Sequence, residues 1–131
     1  MTAGETLFLR ATISTDGHVW IVVCCDPNQG ALLANMTSDL SFEPLCVLDP
    51  GDHPFVTKKT VVAYEHAKYI PPSLISPLES KGIDRKLDDL TPAILRRVQD
   101  GVLQSRHTTP KMKQLVSAAL VRRCTPFVGQ V

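Results

Sequence analysis

Aromatic residues are scarce in this chain: one Trp, two Tyr and four Phe make up 5% of its 131 residues. Between residues 50 and 70 only Phe55, Tyr64 and Tyr69 supply rings, so a stacking platform for nucleobases has little support in the sequence. Long apolar runs are missing too; none approaches the ~20 residues that cross a bilayer, and no membrane association is expected. The opening residues MTAGETLFLRATI lack the basic start and long apolar stretch of a secretory leader, which points to a cytoplasmic location. The four cysteines include no C-x-x-C pair, and no His or Cys spacing resembles a zinc site. Cys24 and Cys25 are neighbours on an apolar stretch, so as strand residues they point to opposite faces and cannot easily pair. Buried free thiols are expected, with no metal.

A large net charge is also absent, but the formal +1 hides an asymmetry. Residues 1–80 carry four basic against nine acidic side chains, and residues 81–131 carry ten basic against four acidic. A basic segment can contact phosphates or dock on the acidic part of the same chain. Arg96, Arg97, Arg106, Lys111, Lys113, Arg122 and Arg123 are the cations able to do either.

What the chain does have is a dense apolar hairpin. His18–Cys25 is rich in Val, Ile and Trp, Asp26–Gly30 has the Pro, Asn and Gly of a tight turn, and Ala31–Met36 returns as a strand. A first strand is expected over Thr6–Ile13, a turn at Ser14–Gly17, and a fourth strand at Leu45–Leu48 stopped by Asp49-Pro50-Gly51-Asp52. His53–Val56 and Thr60–Tyr64 suggest a bent strand pair, or one strand broken at Lys58-Lys59. Several short strands separated by Gly, Pro and Asp turns predict a small antiparallel barrel or sandwich over residues 5–70. Residues 71–90 read as a linker with at most one helical turn. Thr91-Pro92 and Thr109-Pro110 then pair an N-cap with proline at the first helical position. Apolar stripes follow each: Ile94, Leu95, Val98 and Val102, then Met112, Leu115, Val116, Ala119 and Leu120. Two helices over about 91–122, joined at Ser105–Thr108, are expected to form a hairpin on the sheet. The whole is one α+β domain.

The run HVWIVV, DPNQG, ALLANMTS, with CVLDPGDHPFV and TVVAYEHAKYI after it, resembles the PemK/MazF family of bacterial toxins over residues 6–70. The resemblance implies an SH3-like barrel and a metal-independent endoribonuclease that needs no cofactor. It further implies single-stranded RNA as substrate, an antitoxin protein as partner, and a homodimer. Members use an Arg at the start of the first apolar strand and a Thr or Ser at the end of the next. Those positions fall on His18 and on Thr37 or Ser38, so these three are the catalytic residues it implies. The sequence departs from the pattern in having His for Arg and in lacking the family's Gly-Asp-Ile/Val opening.

Cleaving RNA without a metal takes a base for the 2′-OH proton, an acid for the leaving oxygen, and donors for the phosphate. An imidazole titrates near neutrality and can be base or acid, whereas a guanidinium keeps its proton and contributes phosphate contacts. His18 in place of Arg therefore alters the mechanism. The Thr37 and Ser38 hydroxyls can hold the phosphate, Lys58 or Lys59 can neutralise it, and His53 offers a second imidazole for binding. Each has a plainer role: His18 as the residue opening a strand, Thr37 and Ser38 as caps of a turn, His53 as structural, and the lysines as a solvated tip. Two readings without catalysis stand beside the enzyme: an SH3-like peptide-binding module, and a component whose helices mediate dimerisation.

Overall fold

The computed structural model describes residues 1–10 and 17–124, with side chains through Arg122. Six strands form one antiparallel sheet: β1 (Thr6–Leu9), β2 (Trp20–Asp26), β3 (Gly30–Thr37), β4 (Val47–Leu48), β5 (Thr60–Ile70) and β6 (Ile83–Leu87). Their spatial order is β4-β5-β3-β2-β1-β6. Three helices follow or interrupt them: α1 (Pro72–Pro77), α2 (Pro92–Gln104) and α3 (Pro110–Cys124). A wide helical turn at Leu78–Gly82 joins α1 to β6.

The α+β class is as expected, with the sheet from the first part of the chain and the two longer helices from the last. Among the described residues the sheet is not closed into a barrel. The reason lies at its ends. The outer edge of β1 is taken by β6, with Thr6 opposite Leu87 and Leu7 opposite Lys86, while the far edge is the two-residue β4. The stretch read as a linker thus contains a strand. Its charged centre, Asp84-Arg85-Lys86, is exposed, as suits an edge that must not pair with other chains. The expected first strand ends at Leu9, and residues 11–16, with most of the Ser14–Gly17 turn, lie outside the described residues.

The β2–β3 hairpin is the middle of the sheet and is buried on both faces. Its turn is tied by the Asp26 carboxylate, which accepts from the Asn28 N–H at 2.8 Å. Gly30 sits there with φ of 113°, and a Cβ would lie 2.6 Å from the Ile70 carbonyl oxygen, so β5 can pass this close only beside glycine. Bulges interrupt the pairing. Val22 faces Leu33 and Cys24 faces Leu32, leaving one extra residue in β2. Leu33 faces Lys68 but Asn35 faces Ala63, so β5 carries the extra residues there. Such bulges bend a strand and increase its twist. They also let β5 run unbroken from Thr60 to Ile70, whereas residues 53–59 form a loop and not a strand.

Two apolar clusters result. The larger lies between the sheet and the helices and includes Ile21, Leu32, Met36, Val62, Leu95, Val98, Val102 and Val116. The smaller, on the opposite face, gathers Leu7, Leu9, Trp20, Val22 and Leu33 under Leu78. Each fully buried aliphatic side chain contributes about 1.5–3 kcal/mol. Both helix starts are as the Thr-Pro pairs suggest: Thr91 Oγ1 accepts from the Ile94 N–H at 3.3 Å and Thr109 Oγ1 from the Met112 N–H at 3.2 Å. The two helices pack on each other and on the strands. No helix of the described residues is long and apolar enough to cross a membrane.

Tyr64, 1% exposed, joins sheet to helix. Its hydroxyl donates to the Val98 carbonyl oxygen at 2.8 Å, and a Cβ at Gly101 would lie 1.9 Å from the hydroxyl oxygen and 2.4 Å from Cζ. We expect Gly101→Ala to lower the unfolding free energy by about 1–3 kcal/mol through overpacking, against the gain in helix propensity that alanine brings elsewhere. A guanidinium titration followed by circular dichroism reads this directly. An unchanged midpoint would mean that the ring and helix separate at no cost.

Candidate functional site

An antiparallel hairpin with its turn at Asp26–Gly30 must bring its open ends together. Trp20 faces Asn35, and the Met36 N–H donates to the Val19 carbonyl oxygen at 2.9 Å. His18 and Thr37 therefore enter the same region, and β5 supplies the third wall because Val61 faces Thr37. A cavity of about 150 Å³ forms there, lined by His18, Thr37, Ser38, Phe55, Thr57, Lys58 and Thr60 among others. Among the described residues no carboxylate lines it. Three of the residues that sequence reasoning named as catalytic and one named for binding thus share one cavity.

The hydroxyl of Thr37 accepts from the Asp39 N–H at 3.1 Å, the strand-ending role its type suggests, and its own proton remains to be donated. Thr60 Oγ1 donates to the Lys58 carbonyl oxygen at 2.8 Å, which fixes the backbone beneath Lys58. The Lys58 side chain is exposed and has no ion-pair partner among the described residues. Lys59 is exposed as well but is not a lining residue.

The structure places His53 elsewhere. It is 3% exposed and accepts the Phe55 N–H on Nδ1 at 3.0 Å. That places the ring proton on Nε2, 2.6 Å from the Asp88 carbonyl oxygen, to which Thr6 Oγ1 also donates at 2.6 Å. With both nitrogens used, His53 joins β1, the 53–59 loop and the segment after β6, and does not line the cavity. His66 is exposed and edge-on to Phe42, with ring centroids 4.9 Å apart. His107 is exposed in the α2–α3 connection.

Among the described residues no helix cation lines the cavity either. Arg97 pairs with Asp52 at 3.8 Å and Arg122 with Asp26 at 3.3 Å, while Arg96 pairs with Asp100 at 3.0 Å within α2. Docking on the acidic part of the chain is thus one use of the basic segment. Sequence reasoning missed Phe55, Thr57 and Thr60 as cavity residues.

Two larger cavities, of about 340 and 520 Å³, flank α3 and share Cys24, Cys25 and Arg122. Burial pushes the Cys24 thiol up to about 11 from an ordinary 9.0, and burial raises Cys25 and Cys46 as well. Nucleophilic or metal-binding thiols require the opposite shift. No group of three or more His, Cys, Asp or Glu among the described residues could hold a metal ion.

Two measurements check these assignments. His53→Ala should cost about 1–3 kcal/mol for each buried partner left unsatisfied, while Lys58→Ala should stay within about 0.5 kcal/mol; equal effects in denaturant titrations would contradict the buried role of His53. Because the folded Cys24 thiol holds its proton more tightly than the unfolded one, its contribution to stability is complete below pH 9 and is lost as pH rises toward 11. The denaturation midpoint should therefore fall between pH 8 and pH 10.5, and fall less in Cys24→Ala. No protein-family model matches the chain, and no curated protein matches it.

Proposed function

We propose that this chain is a metal-independent endoribonuclease acting on single-stranded RNA, the toxin of a toxin–antitoxin pair. The observation that carries this reading is the convergence of His18, Thr37, Ser38 and Lys58 on one cavity. In the reaction, the ribose 2′-oxygen attacks the neighbouring phosphorus and its proton passes to His18. The bond from phosphorus to the 5′-oxygen breaks, and water protonates the leaving oxygen. The products are a 2′,3′-cyclic phosphate and a 5′-hydroxyl. Thr37 and Ser38 donate to the phosphate oxygens while Lys58 offsets the charge that develops on them. His18 thus performs proton transfer at a position where the family it resembles relies on a guanidinium.

This reading takes the sheet as a variant of the SH3-like barrel, bent by the bulges in β2 and β5, with α2 and α3 as a hairpin across one face. A cytoplasmic protein acting as a homodimer and silenced by an antitoxin that covers the cavity completes it. No cofactor is required. A non-catalytic SH3-like binding module is the reading that remains if RNA is left intact.

The purified chain should cleave single-stranded RNA in the presence of EDTA and leave cyclic phosphate ends. His18→Ala and Thr37→Val should each slow cleavage by about 100-fold or more, and circular dichroism should show both folded. Intact RNA with the wild type, or full activity in both variants, would overturn the proposal.

A further inference from the structure

Phe55 is the one aromatic among the exposed large apolar side chains of the described residues, 47% exposed at the edge of the cavity that holds His18 and Thr37. Exposing so large a ring forgoes its burial, and the loop around it imposes that exposure. On one side His53 is buried and accepts the Phe55 N–H at 3.0 Å. On the other Val56 is 5% exposed, and its N–H donates to the His53 carbonyl oxygen at 2.9 Å. Between these two anchors Pro54 and Phe55 are held outward. The ring is also set against a second one: Phe8 of β1 packs edge-to-face with it, centroids 5.4 Å apart at 76°. The Arg85 guanidinium of β6 lies 5.0 Å from the Phe8 centroid. Three segments distant in the chain thus build a layered aromatic and cationic support, continuous with a cavity that presents Lys58 and hydroxyls.

A rigid ring beside a site for phosphate is the arrangement by which single strands are held, one base on the π-face while the backbone meets cations. We propose that Phe55 is a stacking platform for the nucleobase next to the phosphate bound at His18, Thr37 and Lys58. Phe8 and Arg85 position its ring, and His53 positions its backbone. The inference rests on the reading of that cavity as an RNA site and adds to it how the strand is gripped. A double-stranded RNA cannot present an unstacked base, so the platform selects single strands.

The test uses the full chain and an RNA oligonucleotide made uncleavable by 2′-O-methyl groups, with 2-aminopurine placed at successive positions. Phe55→Leu keeps an apolar side chain but has no π-face, and Phe55→Tyr keeps both. Binding by anisotropy should weaken about 5- to 150-fold in Phe55→Leu, the span set by loss of one base–aromatic stack, and by much less in Phe55→Tyr. One 2-aminopurine position should be quenched by the wild type and not by Phe55→Leu, and an abasic site there should bring the two proteins to equal affinity. Equal affinity of wild type and Phe55→Leu for the intact oligonucleotide overturns the platform, even if RNA is cleaved. Binding that depends on Phe55 without cleavage of ordinary RNA supports the platform and removes the nuclease instead. A wild type that binds no RNA overturns the inference.

Discussion

Tyr64 stands where β5 leaves its regular pairing with β3, and its ring runs into α2 at the one turn where a glycine leaves room for it. Most of the larger core depends on that contact. The ring fills the space between sheet and helix, and its buried hydroxyl is satisfied by the Val98 carbonyl oxygen. It also sets the distance at which Ile94, Leu95, Val98 and Val102 meet the strands. Gln99, one residue after Val98, donates to the Val23 carbonyl oxygen in the bulge of β2 at 3.0 Å. The helix is therefore pinned at the irregular points of β2 and β5, where strand-to-strand bonding is interrupted.

The elements legible in the sequence were those whose signals are local. A threonine N-cap before a proline is a local helix-start signal, and Thr91-Pro92 and Thr109-Pro110 each open a helix. The β2–β3 hairpin was equally plain, because a continuous apolar run with a Pro-Asn-Gly turn has few other uses. β6 was not legible. Three of its five residues are charged and exposed, so neither alternation nor hydrophobicity marks it, and only pairing with β1 makes it a strand. β5 was cut short for a related reason, since the bulged segment beyond Tyr64 breaks the period of two that a strand reading needs.

The cavity divides the same way. His18, Thr37 and Ser38 could be set side by side from the hairpin alone, as the two open ends of one antiparallel pair. Lys58 could be named by its charge, but its arrival beside them depends on β5 lying against β3. His53 could be named but not placed, because its partners Thr6 and Asp88 come from opposite ends of the sheet region. Phe8 and Arg85, brought to Phe55 by β1 and β6, depend on the strand that the sequence concealed. Sequence reasoning thus reached the residues that one hairpin explains and missed those that require the sheet's edge.

The smaller core has a property of its own. Trp20 is the chain's single tryptophan, 1% exposed, with the Lys68 ammonium 4.9 Å from its ring centroid. Its neighbours are Leu7, Val22, Leu33 and Leu78, on the face away from α2 and α3. The tryptophan fluorescence of this protein therefore reports on one side of the sheet only. Loosening of the helices would register first in helical dichroism, and loss of the α1 side first in tryptophan emission. The molecule thus carries, in one residue, the means of telling which of its two layers gives way.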